Sequence, residues 1–184
     1  MDKKRLQMLI EVAIFAAIGL VLDKLSFSMW AQGGSISFVM LPIVLMGIRW
    51  GLKAGLTTGL LIGLLQLVSG ALILNPLQAA IDYLIAFTIV GVAAVVRKPI
   101  LNNIENKTKM ILYITAGIVL GGFLRFLAHM FAGYIFFRDV TSDENAWWVT
   151  ISYNGSYMLP ATILTAIVAC LLFTSAPRLL NRNA

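Results

Sequence analysis

The sequence predicts an all-α integral membrane protein, a single domain over residues 1–184 built as a bundle of six transmembrane helices, and three observations carry that prediction. Hydrophobic residues make up 60% of the chain and charged residues 12%, too little polar surface to cover a water-soluble globule of this length. The mean hydropathy is +0.90, and most apolar residues fall in runs near the ~20 residues a helix needs to cross a bilayer. The net charge of +6 is gathered in short basic clusters beside those runs. That distribution orients membrane helices, and it argues against a nucleic-acid surface, which would place the cations on one polar face. The length leaves no room for a separate ATPase module. Cys170, the lone cysteine, forms no disulfide within the chain and reads as a small packing residue.

The first span, residues 6–22, follows Lys3, Lys4 and Arg5 and is broken only by Glu11. It ends in Asp23-Lys24 and lacks a small-x-small cleavage site, so it reads as a membrane helix rather than a signal peptide. Ala13, Ala16 and Ala17 make a small-residue strip on it, and two readings fit: close contact within the bundle, or docking of another protein. Residues 25–37 are too polar to span and have no helical period, so they form an outer loop. Its Gly33-Gly34 pair gives backbone freedom, and Met29 and Trp30 suit a lid or, for Trp30, an interfacial anchor.

The second span, residues 38–48, is short and contains Pro42, which predicts a thin, kinked or tilted helix. A tight turn with Arg49 and Lys53 leads to the third span, residues 52–73. Gly51, Gly55, Gly59 and Gly63 recur along it every four residues, a face for close helix packing that ends at Gln66. The fourth span starts at Pro76, where a helix loses no backbone bond, and runs to Val96. It carries Asp82, a carboxylate that a lipid-embedded helix tolerates only with a partner or an aqueous cavity. A charged connection, residues 97–109, precedes the fifth span, residues 111–137, where Gly117, Gly121, Arg125, His129 and Gly133 share one row. A polar, acidic loop over residues 138–146 leads to the sixth span, residues 147–174, and Arg178 and Arg182 close the chain. Eleven of the 14 Lys and Arg then fall on one side, Lys24 and Arg138 on the other, and Arg125 within the membrane. By the positive-inside rule both termini are cytoplasmic.

With 1.5 Å of rise per residue, four spans place a polar side chain at one depth from the outer face: Asp82 at roughly 9 Å, Gln66 and Asn154 at roughly 10 Å, His129 at roughly 12 Å. The aromatic residues Tyr83, Phe137, Trp147, Trp148 and Tyr153 lie around that depth. An anion among aromatic walls suits a planar, cationic ligand bound from outside. Arg125, about one turn deeper, offers a competing partner for Asp82. His129 has no second ligand at metal spacing, and no nucleotide loop, zinc-protease helix or nucleophile elbow occurs. Neither a metal, a catalytic set nor a cofactor is expected.

Several stretches together resemble one family. They are residues 32–37 (Gln-Gly-Gly-Ser-Ile-Ser) with Met40-Leu41-Pro42-Ile43, the turn Arg49-Trp50-Gly51, Asp82-Tyr83 with Ala86-Phe87, His129, and residues 153–160 beginning Tyr153-Asn154. The chain resembles the thiamine-specific S component, the substrate-capturing membrane subunit, of energy-coupling-factor (ECF) transporters. The resemblance implies that Asp82, Tyr83, His129 and Asn154 hold thiamine beneath a lid formed by the first outer loop, with Trp30, Gln32, Gly33, Gly34 and Ser35. It implies that the Ala13, Ala16, Ala17 strip docks on an ECF T component carrying two ATPase subunits, in the bacterial plasma membrane. The chain departs from the family pattern at Val149, where a Tyr is frequent, at Ile62, where some members carry Trp, and at Ser37, near which some carry an acid. The alternatives are an S component for another vitamin, or a stand-alone ion-coupled carrier using Asp82, His129 and Arg125 as a proton relay.

Overall fold

A computed structural model describes residues 2–30, 33–138 and 142–180, apart from the side chains at 29, 30, 136, 143 and 144; Gln32, Arg182 and the Trp30 side chain therefore lie outside the described structure. Six helices form the molecule: α1 (Lys3–Lys24), α2 (Met40–Trp50), α3 (Leu52–Val68), α4 (Pro76–Leu101), α5 (Lys107–Phe137) and α6 (Asp143–Ser175). Short connections alternate their directions. One end of the bundle carries the basic clusters; the other carries the segment after α1, which we call the hairpin end.

That segment is not the irregular loop its composition suggests. Strands β1 (Phe27–Trp30) and β2 (Gly33–Ile36) pair antiparallel, Phe27 opposite Ile36 and Ser28 opposite Ser35. Strands of four residues are too short to announce a period of two. The hairpin is seated on α6, and Gly34, at φ 70°, lies so close that a Cβ there would meet the Tyr157 ring at 2.7 Å.

The other departures from the sequence reading are also local. Eleven residues make α2, about 16 Å at helical rise and shorter than the bilayer core. Pro42 stands in its first turn, where no helical N–H bond is lost, and Met40, Ile43, Met46 and Ile48 are fully buried. It is the central helix, apolar on every face because every face is covered. The third helix stops at Val68 rather than 73: Ser69 donates back to the Gln66 carbonyl, and Gly70 follows at φ 96°, a left-handed stop. The fourth runs beyond Val96 through Arg97 and Lys98 to Leu101, with a π turn over Ala80–Ile85 and a 3₁₀ stretch over Gly91–Val96. The fifth begins at Lys107, capped by Asn106, whose side chain accepts from Lys109 N at 3.0 Å. The sixth begins at Asp143, inside the supposed loop.

Close approach of backbones positions the site. A Cβ on Gly59 or Gly63 would collide with the carbonyl oxygens of Phe87 and Tyr83 on α4, so α3 and α4 touch along the glycine row. Gly117 and Gly121 meet Ala93 and Val90 of α4 in the same way, and Gly133 faces Thr150 and Asn154 of α6. By contrast α1 lies at the periphery, burying only Val12, Ala16 and Gly19. An ion pair anchors it: Glu11 accepts from Arg49 Nε at 2.6 Å and from Trp50 Nε1 at 2.6 Å, and Arg49 also donates to the Leu179 carbonyl at 3.1 Å.

Candidate functional site

A cavity of about 810 Å³ opens at the hairpin end between the helices and β2. Gln66 reaches it from α3, Asp82 and Tyr83 from α4, His129 and Phe137 from α5, Tyr153 and Asn154 from α6, and Gly34 and Ser35 from β2. Those residues were expected to meet at one depth or to overlie it. Trp147 and Trp148 do not join them. Trp147, two turns before Asn154, stacks on Tyr134 at 4.3 Å and meets Phe131 edge-on at 6.2 Å, beyond the rim. Trp148, about 100° further round the helix, is 67% exposed on the outer surface.

Asp82 is the hub. Asn75 caps α4 by accepting from Gln78 N at 2.8 Å, and the Gln78 carbonyl oxygen accepts from Leu74 N at 3.1 Å, which aims its amide at Asp82. Gln78 Nε2 donates to Asp82 Oδ2 at 2.7 Å, and His129 Nδ1 lies 2.8 Å from Oδ1. The π turn around Asp82 widens the helix locally, a feature frequent at functional sites. No Lys or Arg nitrogen lies within 4.0 Å of Asp82 among the described residues. Arg125, the expected competitor, instead donates through Nε to His129 Nε2 at 3.2 Å and lays its guanidinium over the Phe87 ring at 4.3 Å.

Asn154 braces rather than projects. Its amide nitrogen donates to the carbonyls of Thr150 at 3.0 Å and His129 at 3.3 Å, and its oxygen accepts from the Tyr157 hydroxyl. Tyr83 OH is held by Leu72 N at 3.1 Å, which ties the wall to the α3–α4 connection. Gln66 differs from these: it is 6% exposed, and its Nε2 has no hydrogen-bond partner. A buried amide donor without a partner costs ~1–3 kcal/mol, a penalty that a ligand acceptor would relieve.

Several wall residues escaped the sequence reading. Gln78 stands four residues before Asp82 on one helix face, a spacing that signals contact. Tyr157 bears the same relation to Tyr153 and is three from Asn154. Asp23 and Lys24 looked like the end of a span, yet both line the cavity, and Lys24 Nζ donates to the Ser69 carbonyl at 2.8 Å. Asp23 supplies, from α1, a carboxylate beside Ser37 and Arg125.

Chemically the cavity is a binding site with Asp82 at its centre, Asp23, Lys24 and Arg125 in its wall, aromatic faces and one unpaired donor, Gln66 Nε2. No group of three metal-ligating side chains occurs among the described residues. A second hollow of about 640 Å³ lies between α5 and α6, where Thr115, Thr162 and Cys170 bring the side-chain heteroatoms of note and no charge converges. Its rim residues Phe123, Leu159 and Ile163 are 52–65% exposed, so it faces outward from the bundle.

Comparison with known proteins gives one consistent result. Residues 9–181 match the family model described as thiamine transporter protein (Thia_YuaJ). A protein named thiamine transporter ThiT from Bacillus subtilis is 43% identical over 190 residues, covering 99% of this chain and 98% of that protein. A protein of the same name from Lacticaseibacillus paracasei is 31% identical over 183 residues, covering 96% and 91% respectively. The solved structure of ThiT from Listeria monocytogenes superposes with a TM-score of 0.90 at 32% identity, covering 97% of this chain and 100% of that one.

Proposed function

The chain belongs to the thiamine transporter protein family, a family of multi-pass bacterial membrane proteins and not of enzymes, and from that premise we propose that it captures thiamine in the Asp82 cavity and serves its uptake. The observation that carries this reading is the state of Asp82: its two oxygens are engaged by Gln78 and the His129 imidazole, and no Lys or Arg is paired with it among the described residues. A carboxylate in a membrane-embedded cavity needs a counter-charge, and the thiazolium ring of thiamine is a permanent one. Tyr83, Phe137 and Tyr153 provide faces for its two planar rings, each such contact with a cation contributing about 0.5–2 kcal/mol. The volume of about 810 Å³ falls in the ~300–1,000 Å³ range of small-molecule sites.

The finer reading is that of an S component. Both termini are cytoplasmic, the hairpin end faces outside with β1 and β2 as the lid, and the energy comes from ATP hydrolysed by two partner ATPases through an ECF T component. The exposure of Ala13 and Ala17 on peripheral α1 supports a docking role for that strip, since small residues admit a close helix neighbour.

Isothermal titration calorimetry of the purified protein in detergent tests the ligand directly. Saturable, one-site binding of thiamine is expected, with no heat from riboflavin or biotin. Folded protein that leaves thiamine unbound would overturn the reading. Uptake by this chain alone in liposomes under a pH gradient would replace the S-component role by an ion-coupled carrier.

A further inference from the structure

His129 is the single histidine of the chain, and its two ring nitrogens face partners with opposite demands. Arg125 Nε lies 3.2 Å from His129 Nε2, and a guanidinium nitrogen only donates. Nε2 must therefore accept and carries no proton, so the ring proton sits on Nδ1, 2.8 Å from Asp82 Oδ1.

We propose that Arg125 is a positioning residue for ligand capture: by occupying Nε2 it locks His129 in the neutral Nδ1–H tautomer, so that the ring gives Asp82 a hydrogen bond without placing a charge in contact with it. Without that lock, a carboxylate in contact with an imidazole draws a second proton onto the ring and forms an internal ion pair. Asp82 would then be paired at contact distance before a cationic ligand arrives. Arg125 performs this task because it is itself kept off Asp82. Its guanidinium rests 4.3 Å above the Phe87 ring, the residue is only 7% exposed, and the arginine–carboxylate pair found among the described residues is the remote Arg49–Glu11.

The other ionisable groups around the ring leave this arrangement intact. Tyr157 of α6 meets the imidazole edge-on at 6.3 Å and gives its hydroxyl hydrogen to Asn154. Tyr83 of α4, Tyr153 of α6, and Asp23 and Lys24 of α1 line the same cavity without bonding the ring. The ligand class follows: a permanent organic cation is favoured over a neutral isostere at any pH where Asp82 is ionised. This specificity statement rests on the thiamine reading; the tautomer does not.

Nitrogen NMR on protein labelled with [15N]histidine reports one ring, without ambiguity. The ligand-free protein is expected to show a protonated Nδ1 and a pyridine-type Nε2 at neutral pH. Arg125→Met should release the ring from that single neutral tautomer, with imidazolium appearing, and weaken thiamine binding by about tenfold or more. Arg125→Lys, which keeps a charged donor, should preserve the tautomer and stay within about threefold of the parent affinity. A parent protein with the proton on Nε2, or with an imidazolium at neutral pH, overturns the proposal. So does an Arg125→Met variant whose ring or whose affinity matches the parent. Should that variant fail to fold, the parent spectrum and Arg125→Lys decide. The spectra need no ligand, so a failure of thiamine to bind would count against the function while leaving the tautomer result standing.

Discussion

Asp82, Gln66, His129 and Asn154 converge as helical rise predicts, yet their roles in the cavity differ because hydrogen bonding treats each differently. Asn154 uses both amide hydrogens and its oxygen on the protein, whereas Gln66 keeps a buried nitrogen without a partner. Replacing Asp82 by Asn removes the charge at almost constant shape, so thiamine affinity should fall by more than about tenfold, or ~1.4 kcal/mol. Calorimetry checks this, and an unchanged constant would take Asp82 out of the site. Gln66→Leu should raise the melting temperature of the ligand-free protein, since an unsatisfied donor is lost, while weakening thiamine several-fold. Affinity equal to that of the parent would reduce Gln66 to a packing residue. Depth alone was a sufficient guide to these polar residues. It misled for Trp147 and Trp148, because an aromatic near the right depth can as well face a neighbouring ring or the lipid, and nothing in composition records azimuth.

At the scale of elements, the glycine row was legible and its partner was not. Spacing by four declares a flat helix face, but only the packed structure pairs Gly59 and Gly63 with the carbonyls of Phe87 and Tyr83. Gly63→Ala should therefore push α4 away next to Asp82, costing about 1–3 kcal/mol as overpacking does and weakening thiamine binding. Gly155→Ala, where nothing stands within 4 Å of the added carbon, should change neither. Thermal unfolding of the two variants side by side separates a packing effect from a general intolerance of lost glycine. The hairpin shows the opposite case. Its strands of four residues carry no readable period, and what makes them a hairpin is pairing to each other and seating on Tyr157, both tertiary events.

The whole molecule divides into a group of helices around buried α2 and a peripheral α1. Helix α1 exposes Ile10, Ile14 and Ile18 at 40–52% along the side where Ala13 and Ala17 also emerge, while Ala16 points inward and is 1% exposed. The strip read as one surface in the sequence is thus split: Ala16 packs within the bundle, and Ala13 and Ala17 are left exposed for the proposed docking. Ala13→Trp with Ala17→Trp should leave the fold and thiamine affinity intact and abolish uptake in cells that hold the partner subunits. Transport assays set beside calorimetry check this, and uptake at the parental rate would sink the docking role. The cavity lies at the far end of the bundle from the Glu11–Arg49–Trp50 anchor, so thiamine binding and the proposed docking should be separable by mutation.

Hydropathy, charge distribution and residue spacing by themselves determined the membrane class, the six spans and the depth at which the polar residues meet, because these depend on transfer free energy and a fixed rise per residue. Only the tertiary structure decided which way each side chain turns, that Asp23, Lys24 and Gln78 join the site, and that Arg125 answers His129 rather than Asp82. Those outcomes depend on helix rotation and on a few tenths of an ångström in backbone approach, which glycine contacts and hydrogen-bond partners on distant segments set together.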